Sequence, residues 1–100
     1  MFENIDDITV TYEDGGIETV KELDKHILTK GAWTTICFKY QDWVAKDEAY
    51  GPIKYTIRRY QKRNGSFNLK SKFNISSIAQ AKSVIEILTT WTGEDSVAAE

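Results

Sequence analysis

The segment from Ile53 to Ile75 alternates between apolar and polar side chains along two consecutive stretches separated by Asn64-Gly65. A period of two is typical of β-strands that bury one face and expose the other. The pattern therefore predicts an antiparallel hairpin whose polar side chains face solvent. The apolar positions, predicted to face the core, are Ile53, Tyr55, Ile57, Phe67, Leu69, Phe73 and Ile75.

Asn64-Gly65 admits two hairpin loops. A two-residue type I′ loop would pair Arg63 with Ser66 and place Lys62 beside Phe67, which mixes polar and apolar side chains. A three-residue loop with its glycine in the left-handed conformation would pair Lys62 with Ser66 and keep the two faces separate. Because a slip of one residue inverts a face, we predict the three-residue loop.

Charge is segregated along the chain. Residues 53–82 contain eight Lys and Arg and no Asp or Glu, whereas residues 1–20 contain six acids and no base. The net charge of −2 therefore hides a local positive field, and the local field determines where a polyanion binds. Single-stranded nucleic acid is bound by cations that neutralise phosphates and by aromatic rings that stack on bases.

The residues predicted to bind nucleic acid combine cations and rings on three strands. The prediction requires the hairpin cations to share one exposed face with the two indole rings of the preceding strand. Since stacking tolerates any base, we expect weak sequence specificity. The predicted residues are Trp33, Lys39, Trp43, Lys54, Arg58, Tyr60, Lys62, Lys70 and Lys72.

The remaining segments are predicted from their local patterns. Residues 1–7 are expected to form a loose acidic arm, residues 8–12 a short strand, and residues 13–16 a turn. Residues 17–30 suit a helix or a strand equally well on periodicity alone. Residues 33–43 alternate as a strand, with the even-numbered Ile36, Phe38 and Tyr40 toward the core.

Ser77 and Gln80 form a capping-box pattern that predicts the start of a helix, and Gly93 predicts its end. One apolar stripe of this helix would cover the sheet, and a second stripe would remain for a partner. We therefore predict a homodimer. The helix residues predicted at its interface are Val84, Ile87, Leu88 and Trp91.

The sequence offers no catalytic constellation. His26 and Cys37 are the only residues of their types, and no glycine-rich phosphate loop or metal-ligand spacing is present. We predict a protein that is not an enzyme and needs no cofactor or metal. A single cysteine fits a reducing compartment, and no apolar run is long enough to span a membrane. The expected location is the cytoplasm or nucleoid, or a host cytoplasm if a phage encodes the chain.

The order of these elements, the Gly31-Ala32-Trp33 strand entry, the Ile57-Arg58-Arg59-Tyr60 run and the Phe73-Asn74-Ile75-Ser76 entry to the helix resemble the positive cofactor four-like transcriptional coactivators and their bacterial and phage relatives. The resemblance implies an α+β fold: a curved four-stranded antiparallel sheet followed by a C-terminal amphipathic helix, here with a short extra N-terminal strand or arm. It favours a strand over residues 17–30. The resemblance covers roughly residues 17–91. We therefore expect a binding domain over residues 17–93, flanked by an acidic arm or short strand (1–16) and an acidic tail (94–100).

The resemblance further implies a dimer that binds single-stranded DNA with strand cations on phosphates and strand aromatics on bases. By position these roles fall on Lys39, Lys54, Arg58, Tyr60 and Lys72. The expected function is single-stranded DNA binding in transcription, replication or recombination, with proteins of those processes as further partners. Two alternatives use the same surface: a protein-interaction module and an RNA-binding protein.

Overall fold

The computed structural model describes residues 2–99 and has the predicted α+β class, a curled antiparallel sheet followed by a helix. A 3₁₀ turn (Ile5–Asp7) precedes the sheet. The other elements are β1 (Tyr12–Asp14), β2 (Ile17–Thr29), β3 (Trp33–Val44), β4 (Ala49–Tyr50), β5 (Lys54–Arg63), β6 (Ser66–Ile75) and α1 (Ile78–Ala99). The sheet order is β1-β2-β3-β5-β6, and β4 pairs with β3, so β1 and β4 extend the predicted four strands.

Residues 17–29 form the strand β2, as the family resemblance implied. Gly15 and Gly16 have φ angles of 60° and 85°, which are favourable for glycine, and they turn the chain from β1 into β2. Antiparallel pairing to β3 then runs from Val20, opposite Asp42, to the end of the strand, with two shifts in register. Pairing with the long strand β3 therefore selects the strand conformation for residues 17–29, which periodicity alone did not distinguish from a helix.

The β5–β6 hairpin has a two-residue loop, so the predicted three-residue loop is wrong. Asn64 (φ 52°) and Gly65 (φ 77°) are both left-handed, as a type I′ turn requires, and Arg63 pairs with Ser66. A bulge shifts the register between Arg59 and Tyr60, which leaves Lys70 as the extra residue of β6. The change of one residue in register that separates polar pairs from apolar pairs is therefore made by this bulge and not by the loop.

This bulge divides apolar side chains that the alternation places on one face. Phe67 and Leu69 precede the bulge and lie on one face, whereas Phe73 and Ile75 follow it and lie on the other. Each face of the sheet therefore receives apolar side chains from the same strand.

The inner face is the one that carries Ile36 and Phe38, both fully buried. Arg58 lies opposite Ile36 and Thr56 lies opposite Phe38, so the even-numbered side chains of β5 share this face. The prediction that the even-numbered side chains of β5 face solvent is therefore wrong for Thr56 and Tyr60, which are buried. Tyr55 and Ile57 lie on the opposite, outer face. The register between β3 and β5 aligns the even-numbered residues of both strands, and it therefore places the side chains of β5 on the faces opposite to those predicted.

The N-terminal segment (residues 2–11) covers part of the inner face, so the loose arm that we predicted over residues 1–7 is wrong for residues 2–7. Ile8 and Val10 are 1% and 7% exposed and belong to the core cluster with Ile36 and Phe38. The ammonium of Lys25 donates to the carbonyls of Ile5, Asp6 and Ile8 at 2.7–3.2 Å. Regular strand structure begins only at residue 12. Met1 lies outside the described residues.

Helix α1 begins as predicted, because the Ser77 hydroxyl accepts from the Gln80 amide at 3.1 Å. The Gln80 side chain in turn accepts from the Ser76 amide at 2.8 Å. The helix continues past Gly93, which does not adopt the left-handed conformation that ends helices. The predicted end of the helix at Gly93 is therefore wrong, and Glu100 lies outside the described residues.

Most of α1 projects away from the sheet. Ile78, Ile85, Leu88 and Trp91 are each 50–63% exposed. The radius of gyration is 16.2 Å, compared with about 13 Å for a compact domain of this length. The helix therefore leaves a large apolar surface uncovered within the single chain.

Candidate nucleic-acid interface

The predicted binding residues do not share one face. Trp33, Lys39 and Trp43 lie on the outer face, because the pairs Trp33–Gln61 and Lys39–Tyr55 join odd-numbered residues of β3 to odd-numbered residues of β5. The hairpin side chains on the inner face are Lys54, Arg58, Tyr60, Lys62 and Lys72, and Lys70 lies at the bulge. The prediction that the hairpin cations share one exposed face with the two indole rings is therefore wrong.

Both outer-face indoles already have partners within the chain. The guanidinium of Arg59 lies over the Trp33 ring, 4.2 Å from its centroid. Trp43 meets the ring of Tyr50 edge-on, with centroids 5.2 Å apart and planes at 74°. The ammonium of Lys21 lies over the Tyr50 ring, 4.9 Å from its centroid. Arg59 was missed by sequence reasoning, and only the β3–β5 register reveals that it reaches Trp33.

Two inner-face cations lie directly opposite one another. Arg58 pairs with Lys72 across β5 and β6, and like charges in such positions repel. The Nε atom of Arg58 is buried and has no hydrogen-bond partner among the described residues. A buried donor without an acceptor is rare, so the Arg58 guanidinium is an unusual feature of the inner face.

Lys54 differs from the other hairpin cations because it is neutralised locally. Its ammonium lies 2.9 Å from the Asp42 carboxylate, and this hydrogen bond with its charge attraction raises the pKa of Lys54. Both side chains are about one-third exposed, so the pair contributes little to stability. Asp42 reduces the contribution of Lys54 to the positive field.

Among the side chains of the β5–β6 hairpin, the rings that share a face with the cations are Tyr60 and Phe67, and both are buried. Burial raises the pKa of the Tyr60 phenol, although the nearby positive charge of Arg58 opposes this effect. The ammonium of Lys62 lies 5.4 Å from the centroid of the Phe67 ring. Phe67 was not predicted as a binding residue, because the alternation assigns it to the core.

The outer face and α1 enclose an open apolar groove of about 470 Å³. Cys37 lies in this groove, and burial raises the pKa of its thiol, which makes the thiolate scarce at neutral pH. His26 is directly opposite Cys37 on β2, but across residues 2–99 no three potential ligand side chains cluster around a possible metal site. The main residues of the groove are Tyr55, Ile57, Ile75, Ile78, Ile85 and Leu88.

No family model, curated protein or solved structure matches the chain. Within the described residues, α1 is the only long helix, and it lacks the apolar length that crossing a membrane requires. The function is therefore inferred from the residues of the site.

Proposed function

We propose that this protein binds single-stranded DNA through the cations of the β5–β6 hairpin. The observation that carries the proposal is the excess positive charge between residues 53 and 82. This segment has eight cations and no carboxylate, and within the described part of the chain only Lys54 among them forms an ion pair. A polyanion relieves the repulsion between Arg58 and Lys72.

The proposed mode of binding differs from the one predicted from the sequence. Phosphate contacts along β5 and β6 provide most of the affinity, since the outer-face indoles lie on the other side of the sheet. Stacking on Trp33 and its Arg59 partner is possible only for a strand that passes round the hairpin edge. The proposed complex is therefore strongly salt-dependent and weakly sequence-specific.

Only the family resemblance indicates which cellular process the protein serves. The Ile57-Arg58-Arg59-Tyr60 and Phe73-Asn74-Ile75-Ser76 motifs of the positive cofactor four-like coactivators favour a role in transcription, replication or recombination, in the cytoplasm or nucleoid. RNA remains an alternative ligand, because no contact on this surface selects a particular sugar.

Fluorescence anisotropy with labelled oligo(dT) tests the proposal. The logarithm of the affinity should fall with the logarithm of salt concentration, with a slope of about −0.7 for each phosphate neutralised. Replacing the exposed Lys70 and Lys72 with glutamine should reduce the magnitude of the slope by about 1.4. Lys46→Gln, which removes an exposed cation outside the hairpin, should leave it unchanged.

Three results of this experiment would contradict the proposal. The first is no binding at low salt, and the second is an unchanged slope in the Lys70→Gln, Lys72→Gln variant. The third is duplex DNA binding that is tighter than single-strand binding. Tighter binding of a matched RNA oligomer would replace DNA with RNA as the ligand.

A second proposal concerns self-association. The observation that favours it is the apolar surface of α1, where Ile85 and Trp91 are 63% and 53% exposed and the adjoining groove is open. Exposed apolar patches of this kind typically mark protein interfaces. A second copy supplies a matching helix and groove, so that each α1 covers the other in a two-fold dimer.

A further inference from the structure

The N-terminal segment has a buried anchor (residues 8–10) and a less buried part that precedes it. Ile8 and Val10 are buried, whereas Phe2 and Ile5 are only partly buried and Glu3, Asn4, Asp6 and Asp7 are exposed. We call Phe2–Asp7 the cover. Because little of the cover is buried, it can leave the sheet at a smaller free-energy cost than the anchor.

The cover lies over the aromatic part of the inner face. The Phe2 carbonyl accepts from the Phe67 amide at 2.7 Å, which forms an isolated bridge to the edge strand β6. Phe2 and Ile5 also pack against the cluster that contains Tyr60 and Phe67. The cover thus hides the rings that lie beside the inner-face cations.

Charge complementarity accompanies this contact. The cover contains three acids, Glu3, Asp6 and Asp7, and no base. Its Glu3 lines an open cleft of about 670 Å³ together with Lys30, which directly follows β2, and Lys62 of β5. An acidic segment on a basic face occupies the same surface that a nucleic-acid strand would occupy.

We propose that the cover is an internal competitor of single-stranded nucleic acid, and that its release exposes Phe67 as a base-stacking ring beside Lys62. This inference rests on the proposed function and adds its regulation. In the closed state, phosphates reach Lys70 and Lys72 at the β6 edge. In the open state, a base stacks on Phe67 while its phosphates contact Lys62.

The first test is hydrogen exchange at the Phe67 amide in the full-length protein. In the free protein this amide should be protected, because it donates to the Phe2 carbonyl. Saturation with oligo(dT) should increase its exchange rate by about tenfold or more as the cover leaves. Amides of the β3–β5 ladder serve as the internal reference. Unchanged or increased protection at Phe67 in the presence of bound oligonucleotide would overturn the inference.

The second test measures oligo(dT) affinity in full-length variants. Phe2→Ala weakens the cover without changing the charge, and it should increase affinity about tenfold, because less of the binding energy displaces the cover. Tyr12→Ala is the matched control, since Tyr12 is 62% exposed on β1. It should leave affinity unchanged.

A further substitution isolates stacking. In the Phe2→Ala background, Phe67→Leu keeps an apolar side chain but removes the ring, and it should reduce affinity about fivefold. If wild type binds and Phe2→Ala does not bind more tightly, the competitor role is overturned while the proposed function stands. If Phe67→Leu has no effect, the stacking role is overturned. If neither wild type nor Phe2→Ala binds at low salt, the proposed function and this inference both fail.

Discussion

Replacing Ile8 with alanine is expected to lower the free energy of unfolding by about 2–5 kcal/mol. Ile8 is 1% exposed and packs in the same cluster as Ile36 and Phe38. The substitution removes buried apolar contacts and leaves a cavity that the surrounding strands cannot fill. Urea unfolding followed by far-ultraviolet circular dichroism measures the change through the transition midpoint.

Ile17→Ala is the control for this experiment. Ile17 carries the same side chain at the start of β2 but is 42% exposed, so the expected loss is below about 1 kcal/mol. Equal effects of the two substitutions would show that residues 8–10 do not form part of the core. Residues 8–10 would then contribute little to the free energy of unfolding.

Replacing both Ile85 and Leu88 with glutamate is expected to convert a dimer into a monomer. These side chains line the groove beside α1 and are 63% and 50% exposed in the single chain. Each substitution occurs twice in a two-fold interface. At about 1.5 kcal/mol or more for each buried side chain, dimerisation should weaken by about 6 kcal/mol, or roughly 10⁴-fold.

Sedimentation equilibrium across a concentration series measures this change. Thr90→Glu introduces a charge on the polar side of α1 and should leave the dimer intact. A wild-type protein that remains monomeric over the whole series would contradict the self-association proposal. The exposed helix would then need a different partner.

The strands and the helix start were predictable because their signals are local. Alternation of apolar side chains predicted β3, β5 and β6, and the Ser77–Gln80 pattern predicted the first turn of α1. Residues 17–29 carried a divided signal, and their pairing with β3 decided it. Gly93 shows the limit of such signals, because a glycine ends a helix only where the chain adopts the left-handed conformation.

The candidate site was harder to predict because it depends on how strands align with one another. Alternation determines which side chains of one strand share a face, but it does not determine which face of the neighbouring strand they join. The β3–β5 register placed Arg58 opposite Ile36, and the bulge at Lys70 separated Phe67 from Phe73. Each shift by one residue exchanges the two faces of a strand.

The sequence by itself determined the class of fold, the positions of the main strands and the segregation of charge that carries the proposed function. These properties depend on the order of side chains along the chain. Only the tertiary structure decided which rings accompany the cations, and it buried those rings beneath an N-terminal segment whose composition had indicated a loose arm. The physical reason is that strand register and the covering of a sheet face arise from contacts between residues distant in sequence.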